Sequence, residues 1–232
     1  MSKKFTGKLC VYCAEASSTT ADHVFAREFF LSRNRNGIPK VPACHPCNRD
    51  KADLEHYLTT ILPFGGRHPD ALENLETMVP KRLQKNAKLH QKLLESRGTR
   101  WSQFGALLTP SSTLPIDSGR FERLFQFVVR GLIWHHWKVY LTSPNIVEVA
   151  TPTEVGARFF DKFFGLDKCE RVRASIGDGT FVYEGVHDVR CPEITAWRIW
   201  MYGGLHLAEG NEPEEEVSSQ INIVTRPPDD AR

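Results

Sequence analysis

The chain has 232 residues, of which 41% are hydrophobic and 25% charged, the ordinary composition of a globular protein. Its 30 Lys and Arg residues against 28 Asp and Glu leave a net charge of +2. That charge excludes a uniformly basic coat for nucleic acid but leaves a local basic groove open. The longest apolar stretch, FVVRGLIWHHW, is interrupted by polar residues and too short to cross a bilayer. With no recognisable signal peptide, we expect a cytoplasmic protein without a membrane partner.

Residues 1–65 are predicted to form a compact module organised by a metal ion. A strand is expected around residues 21–25, a polar loop follows, and residues 40–43 are predicted to be a return strand. A helix is predicted from Pro46, a residue tolerated in the first helical turn, to about residue 62. The module is thus expected to consist of two strands followed by one helix.

Residues 66–110 are predicted to be a helical connector. Pro80 lies within its apolar stripe and can split the helical stretch into two helices. Residues 109–119 are predicted to be a linker or long turn, because they are rich in Pro, Ser and Thr. Asp117 or Ser118 at the end of this stretch could cap the next helix.

Residues 111–232 are predicted to form a C-terminal α+β domain with an antiparallel sheet. An aromatic-rich helix is expected at about 120–141, and a short amphipathic helix at 155–164. The strands, bounded by Asn, Gly and Pro turns, are predicted at 146–150, 171–176, 180–184, 196–202 and 221–225. The whole chain is therefore assigned to the α+β class. A homo-oligomer, if one forms, is expected to use this C-terminal region.

Four of the six cysteines occur in two pairs, each with a two-residue spacer. The pairs are Cys10–Cys13 and Cys44–Cys47. Such a spacer lets both sulfurs of a pair reach one Zn²⁺, and two pairs complete a tetrahedron with no position left for water. We therefore interpret the four cysteines as a structural zinc site. Four buried or free thiols are one alternative, and disulfides, which a reducing cytosol disfavours, are another.

An Asp22-His23 dipeptide lies between the two cysteine pairs, and Asn48 directly follows the second pair. Because the zinc site would tie the two segments together, the strand that ends in this dipeptide could face the first turn of the helix. Carboxylate and amide oxygens suit Mg²⁺, and a neutral His23 can accept a proton from water. The alternative is a turn Asp and a structural His beside the zinc.

The motifs CVYC, ADHVF and VPACHPCNRDK together resemble the HNH (ββα-metal) endonucleases in their zinc-stapled form. The resemblance covers about residues 8–62 and depends on the DH dipeptide and the C-x-x-C-N-x-x-K pattern occurring in this order. It implies that His23 is the general base and that Asp22 and Asn48 hold a catalytic Mg²⁺ or Mn²⁺. The implied reaction is hydrolysis of a DNA phosphodiester to a 5′-phosphate and a 3′-hydroxyl, with RNA as an open alternative substrate.

The chain departs from this family in the loop before the second strand. The family has an Asn there that orients the base, whereas the matching position here is near Pro39, which cannot do so. Asn34 or Asn36 could substitute, or a backbone carbonyl could orient the His23 ring. The departure leaves room for the alternative function, a zinc-stapled module that binds nucleic acid or protein without cleaving it.

Basic residues near the dipeptide and in the connector are candidates for phosphate contacts. Lys51, one helical turn beyond Asn48, could neutralise phosphate charge, with a solvated lysine as the alternative, and Glu55 could pair with it. Arg27 could contact the nucleic-acid backbone or be a plain surface residue. A stripe in the connector is a phosphate contact or a solvated face; its members are Lys81, Arg82, Lys85, Lys88 and Lys92.

Two further features of the C-terminal region were assigned from composition. His135 and His136 stand between two tryptophans and are interpreted as part of an aromatic core with one satisfied His, with a second site as the alternative. The acidic segment 211–217 should be repelled by phosphate, and the tail 226–232 is predicted to be disordered.

Overall fold

The fold is α+β, as predicted. The computed structural model describes residues 5–104, 107–166, 169–205 and 220–228. The acidic segment 211–217 and the last four residues of the tail lie outside the described residues. Within the described ranges, no helix combines the length and the apolar character needed to cross a membrane.

The N-terminal segment forms a two-stranded antiparallel sheet and a long helix. β1 (Thr20–His23) pairs with β2 (Lys40–Ala43). α1 (His45–Ile61) begins directly after β2, with Cys44 as its N-cap and Pro46 in its first turn. The predicted order of strand, strand and helix is confirmed.

Three short helices follow α1 and a brief 3-10 turn. They are α2 (Pro69–Thr77), α3 (Val79–Lys85) and α4 (Ala87–Ser96). Pro80 lies in the first turn of α3, where its missing N–H leaves no helical hydrogen bond unmade. The predicted break beside this proline is confirmed, and a second break occurs at Asn86, whose side chain caps α4.

The prediction of a linker at residues 109–119 is wrong for its first half. β3 (Gly98–Phe104) and β4 (Leu107–Thr113) form an antiparallel hairpin. Pro110 argues against a strand in sequence, but both strands of a two-stranded hairpin are edge strands, so a residue without an N–H is tolerated. β4 also runs across the domain boundary placed at residue 110, although the division into three segments stays a prediction.

α5 (Ser118–Trp137) lies at the centre of the molecule and contacts both α1 and β2. The predicted cap is Asp117, whose Oδ1 accepts a hydrogen bond from the Arg120 N–H at 3.0 Å. The helix ends four residues before the predicted position, because Lys138 adopts a left-handed conformation with φ of 59°.

A five-stranded antiparallel sheet makes up most of the C-terminal region. In chain order its strands are β5 (Ile146–Ala150), β6 (Cys169–Ile176), β7 (Phe181–Asp188), β8 (Thr195–Met201) and β9 (Ile221–Arg226). Their order across the sheet is β5-β9-β8-β7-β6. α6 (Glu154–Phe160) lies between β5 and β6 in the chain. All five predicted strands and the short helix are confirmed, with β6 and β7 longer than predicted.

One hydrophobic cluster joins the N-terminal module, α5 and the C-terminal sheet. The rings of Phe25, just after β1, and Phe181 of β7 have centroids 4.5 Å apart. Gly131 lets α5 approach the end of β1 closely, because a Cβ at that position would lie 2.9 Å from the Val24 side chain. The strand end that carries His23 is therefore held by the central core.

The buried face of β8 is as predicted. It consists of Trp197, Ile199 and Met201. Tyr202, which alternation placed on the opposite face with Arg198 and Trp200, is instead buried, because it follows the strand in a turn with φ of 52°. Its hydroxyl donates to the Phe29 carbonyl at 2.6 Å, which links the C-terminal sheet to the N-terminal module.

Candidate functional site

The sulfur atoms of the two cysteine pairs converge to within 4.8 Å of one another. The cluster consists of Cys10, Cys13, Cys44 and Cys47. The first pair is closed by Ala14 in a left-handed conformation, and the Val11 N–H joins it to β2 by donating to the Pro42 carbonyl at 3.0 Å. The second pair sits at the start of α1. This cluster can hold a metal ion such as zinc.

The chemistry of the four thiols fits a divalent cation at their centre. Burial and the neighbouring thiols raise the pKa of Cys47, because a further negative charge in the cluster is costly. A bound dication would reverse this penalty and deprotonate the thiols. Bonds of about 2.3 Å in a tetrahedron place sulfurs about 3.8 Å apart, so the cluster needs only a small contraction.

A second group of polar side chains lies between β1 and α1. Thr20 and Asp22 share one face of β1, because side chains alternate along a strand. The Asn48 Nδ2 donates to the Thr20 Oγ1 at 3.4 Å, and the Lys51 Nζ lies 3.0 Å from the Asp22 Oδ2. The strand–helix interface therefore brings Asp22 and Asn48 to the same face of β1.

Asp22 and Asn48 each have an oxygen available for a hard cation. The Asp22 Oδ2 is used by Tyr12 and Lys51, whereas its Oδ1 makes no hydrogen bond to any described residue. Asn48 uses its Nδ2 towards Thr20 and likewise leaves its Oδ1 without a partner in the described part of the chain. Carboxylate and amide oxygens are ligands that Mg²⁺ accepts, so these residues fit such a cation. The nearby ammonium opposes it, and phosphate charge would offset that repulsion.

Lys51 is fully buried, with 0% of its side chain exposed, so the alternative of a solvated lysine is wrong. Its ammonium donates to the His23 carbonyl at 2.7 Å and pairs with Asp22 and Glu55. Burial alone would lower the Lys51 pKa, but Glu55 and Asp22 outweigh it, and the pKa is raised. The predicted pairing with Glu55 is confirmed. A phosphate contact by Lys51 would require these buried ion pairs to be broken.

His23 occupies the last position of β1, on the opposite face from Asp22, with its ring partly exposed. Burial, and then the positive charge of Lys40 across the sheet, lower its pKa below the ordinary value. The imidazole is therefore neutral at pH 7 and able to accept a proton. Only the backbone of His23 is fixed, through the hydrogen bond from Lys51.

The proposed substitute for the family's orienting Asn is wrong in the case of Asn34. Its Nδ2 donates to the Asp70 Oδ2 at 2.7 Å, so it fixes the loop onto α2. Asn36 is exposed. The Pro39 carbonyl accepts from the Val24 N–H at 2.8 Å and so holds the residue after His23. Among the described residues, no hydrogen bond reaches the His23 ring.

Tyr12 belongs to the site although the sequence did not reveal it. It lies between the two cysteines of the first pair, is buried, and donates from its hydroxyl to the Asp22 Oδ2 at 2.6 Å. Burial, and then the negative charge of Asp22, raise its pKa well above the ordinary value, so it stays a donor. The only sequence signal was a polar aromatic residue in a C-x-x-C spacer, which does not name its partner.

The buried carboxyl of Glu55 predicts a pH dependence of stability. Burial raises the pKa of Glu55 to about 7, and Lys51 offsets this only in part. The folded state therefore binds more protons than the unfolded state between about pH 4.5 and 7, and the free energy of unfolding should fall as pH rises through this range. We expect a fall of roughly 3 kcal/mol relative to Glu55→Gln, measured by urea unfolding without added Mg²⁺.

The matched control for this prediction is Asp53→Asn, which removes an exposed carboxyl from the same helix. Its unfolding free energy should follow the wild-type pH curve. A wild-type curve parallel to that of Glu55→Gln between pH 4.5 and 7 would contradict a buried, protonatable Glu55.

The basic stripe of the connector loses one member in the structure. The Arg82 guanidinium is directed inward and donates to the carbonyls of Thr59 and Glu28, each at 2.6 Å. It therefore fixes α3 against the N-terminal module and is not available to phosphate. The remaining members of the stripe are exposed, namely Lys81, Lys85, Lys88 and Lys92.

The histidines of α5 agree with the interpretation of an aromatic core. The His136 Nε2 lies 3.0 Å from the Tyr183 hydroxyl, and burial, followed by His135, lowers the pKa of His136 to about 4. Trp137 stacks on His187 with ring centroids 4.2 Å apart. Within the described residues, the four cysteines are the only group of three or more His, Cys, Asp or Glu that could hold a metal.

The chain was compared with family models, curated proteins and solved structures, and none of them matches it. A functional assignment therefore depends on the residues and geometry described above.

Proposed function

We propose that the chain is a metal-dependent endonuclease of the HNH type that hydrolyses phosphodiester bonds in DNA. The observation that carries the proposal is the strand–helix interface, at which Asp22 and Asn48 each retain an oxygen without a partner in the described structure. A neutral His23 lies next to Asp22 at the end of the same strand. The motifs that resemble the HNH family fall on these same residues.

The four-cysteine cluster is proposed to bind one structural Zn²⁺. Two sulfurs come from the knuckle before β1 and two from the start of α1, so one ion clamps the segments that flank the candidate site. Four thiolates fill a tetrahedral ion and leave no position for water or substrate. The zinc would therefore stabilise the module without taking part in hydrolysis.

The residues around the strand end are proposed to divide the work of hydrolysis. His23 would accept a proton from water, whose oxygen attacks phosphorus while the bond to the 3′ oxygen breaks. Asp22 and Asn48 would hold Mg²⁺ or Mn²⁺, which when bound stabilises the negative charge developing on the phosphate and the departing oxygen. Lys51 and Tyr12 would fix Asp22, and Lys51 would also fix the His23 backbone.

Exposed lysines support nucleic acid as the partner. Lys81 and Lys85 of α3 and Lys88 and Lys92 of α4 have no ion pair within the described structure. Arg82 fixes α3 to the N-terminal module through Thr59 and Glu28. Lysines held in this way could contact the phosphate backbone without reading its sequence.

The proposed reaction predicts that His23→Ala loses most of its activity. Loss of a general base lowers the rate by about 10²–10⁴-fold. The measurement is nicking of supercoiled plasmid with Mg²⁺ or Mn²⁺, together with zinc content and thermal unfolding of each variant. His45→Ala is the matched control, because His45 is an exposed histidine at the start of α1.

Two outcomes of this assay would decide against the nuclease. If wild type and His23→Ala cleave equally, the activity belongs to another site or to a contaminant. If neither cleaves DNA or labelled RNA while wild type binds them, the chain is instead a non-catalytic zinc-stapled binding module.

A further inference from the structure

α6 presents an apolar row to solvent, which we name the α6 row. The row consists of Val155, Phe159 and Phe163, spaced by four residues along α6 and the 3-10 turn that follows it. Val155 is 71% exposed and Phe159 60% exposed. A contiguous exposed patch of this kind on a small helix marks an interaction surface more often than a chance exposure.

The exposure of the α6 row follows from how α6 is held on the sheet. Phe160 faces inward and is packed against Val186 and Ala196. Arg198 of β8 pairs with Asp161, and its guanidinium lies 4.3 Å from the centroid of Phe164. Because these contacts hold the inner face of the segment, the apolar row cannot turn inward to bury itself.

The charges beside the α6 row are arranged from acidic to basic along the chain. Glu154 starts the helix, Arg158 follows one turn later at 4.0 Å from the Glu154 carboxylate, and Lys162 lies 5.0 Å from the centroid of the Phe159 ring. A two-fold axis through Phe159 would bring Glu154 opposite Lys162 of the partner subunit. The row of charges is thus complementary to its own copy when two helices run antiparallel.

We propose that α6 is a self-association surface, on which two copies of the chain pack their α6 rows antiparallel about Phe159. Phe159 would contact its own copy, and Val155 would contact Phe163 of the partner subunit. The acidic start of the helix disfavours an anionic membrane or nucleic acid as the occupant, because both repel Glu154. The proposal does not depend on the proposed nuclease activity.

The dimer is expected to be weak. The α6 row is far smaller than the roughly 800 Å² per partner of a standard stable interface, so association should occur in the micromolar range. Sedimentation velocity of the full chain over this range should show a monomer–dimer equilibrium. Phe159→Glu should raise the dissociation constant at least tenfold, about 1.4 kcal/mol, while the thermal midpoint stays unchanged because Phe159 is exposed.

Matched variants separate this interface from general stickiness. Phe64→Glu changes another exposed phenylalanine, 50% exposed and outside α6, and should dimerise like wild type. Glu154→Lys and Lys162→Glu should each weaken the dimer, and the double variant Glu154→Lys/Lys162→Glu should restore it, since the complementary pair is reversed. A monomeric wild type, a dimer indifferent to Phe159→Glu, or a double variant no better than the single ones would overturn the proposal. So would Phe159-dependent binding to anionic vesicles by a chain that stays monomeric.

Discussion

Cys44→Ser is expected to release the metal of the four-cysteine cluster and to unfold the N-terminal module. Structural zinc contributes about 10–16 kcal/mol of binding free energy in small zinc modules, against a total stability of about 5–15 kcal/mol for an ordinary domain. The cluster joins the first knuckle to β2 and α1, and this module shares one hydrophobic cluster with α5 and the sheet. Loss of the metal should therefore spread beyond the module.

The measurement for this prediction combines metal content with hydrogen exchange. Wild type should hold about one zinc per chain, and Cys44→Ser should hold almost none, with fast exchange throughout β1 and α1. Cys191→Ser is the matched control, because Cys191 is an exposed cysteine far along the chain from the cluster. A zinc-free Cys44→Ser chain with wild-type protection in α1 would show that the clamp is not needed for the fold.

Lys51→Met is expected to destabilise the protein by about 3–5 kcal/mol, because it removes one partner of a buried ion pair. Without the ammonium, the carboxyls of Asp22 and Glu55 share a buried site, and the His23 carbonyl loses its donor. The pKa of a carboxyl left without its cation rises. Sharing a proton should relieve part of the destabilisation at pH 5.5, so the loss measured at pH 8 should be larger.

Two variants isolate the buried pair in urea unfolding. Arg49→Met removes an exposed charge from the same helix and should change the unfolding free energy by less than about 0.5 kcal/mol. Lys51→Met/Glu55→Gln should recover part of the loss, because one of the two uncompensated carboxyls is gone. If Lys51→Met were as mild as Arg49→Met at pH 8, Lys51 could not be buried between the two acids.

The elements of the site could be predicted from sequence because their signals are local. Pro46 marks the start of α1, and the two-residue spacing of Cys10 and Cys13 and of Cys44 and Cys47 indicates a shared ion. Each signal needs only the residue itself and its immediate neighbours. The strands of the C-terminal sheet were located for the same reason, from turns and alternation.

The interior of the site could not be predicted, because it depends on partners distant in the chain. A lysine on a polar helix face is ordinarily solvated, and only the pairing of β1 against α1 buries Lys51 beside Asp22. Tyr12 and Asn34 likewise have side-chain partners whose distance no sequence pattern sets. The hairpin around Pro110 was missed because a proline is rare in strands except at an edge.

Anomalous diffraction from a crystal soaked in Mn²⁺ tests the central claim most directly, because it locates two kinds of cation separately. Data at the zinc edge should give one peak among the sulfurs of Cys10, Cys13, Cys44 and Cys47. Data at the manganese edge should give a second peak between the Oδ1 atoms of Asp22 and Asn48, on the same face as the Lys51 ammonium. A manganese peak elsewhere, or none at saturating Mn²⁺ with a DNA fragment bound, would contradict a hydrolytic site at this strand–helix interface.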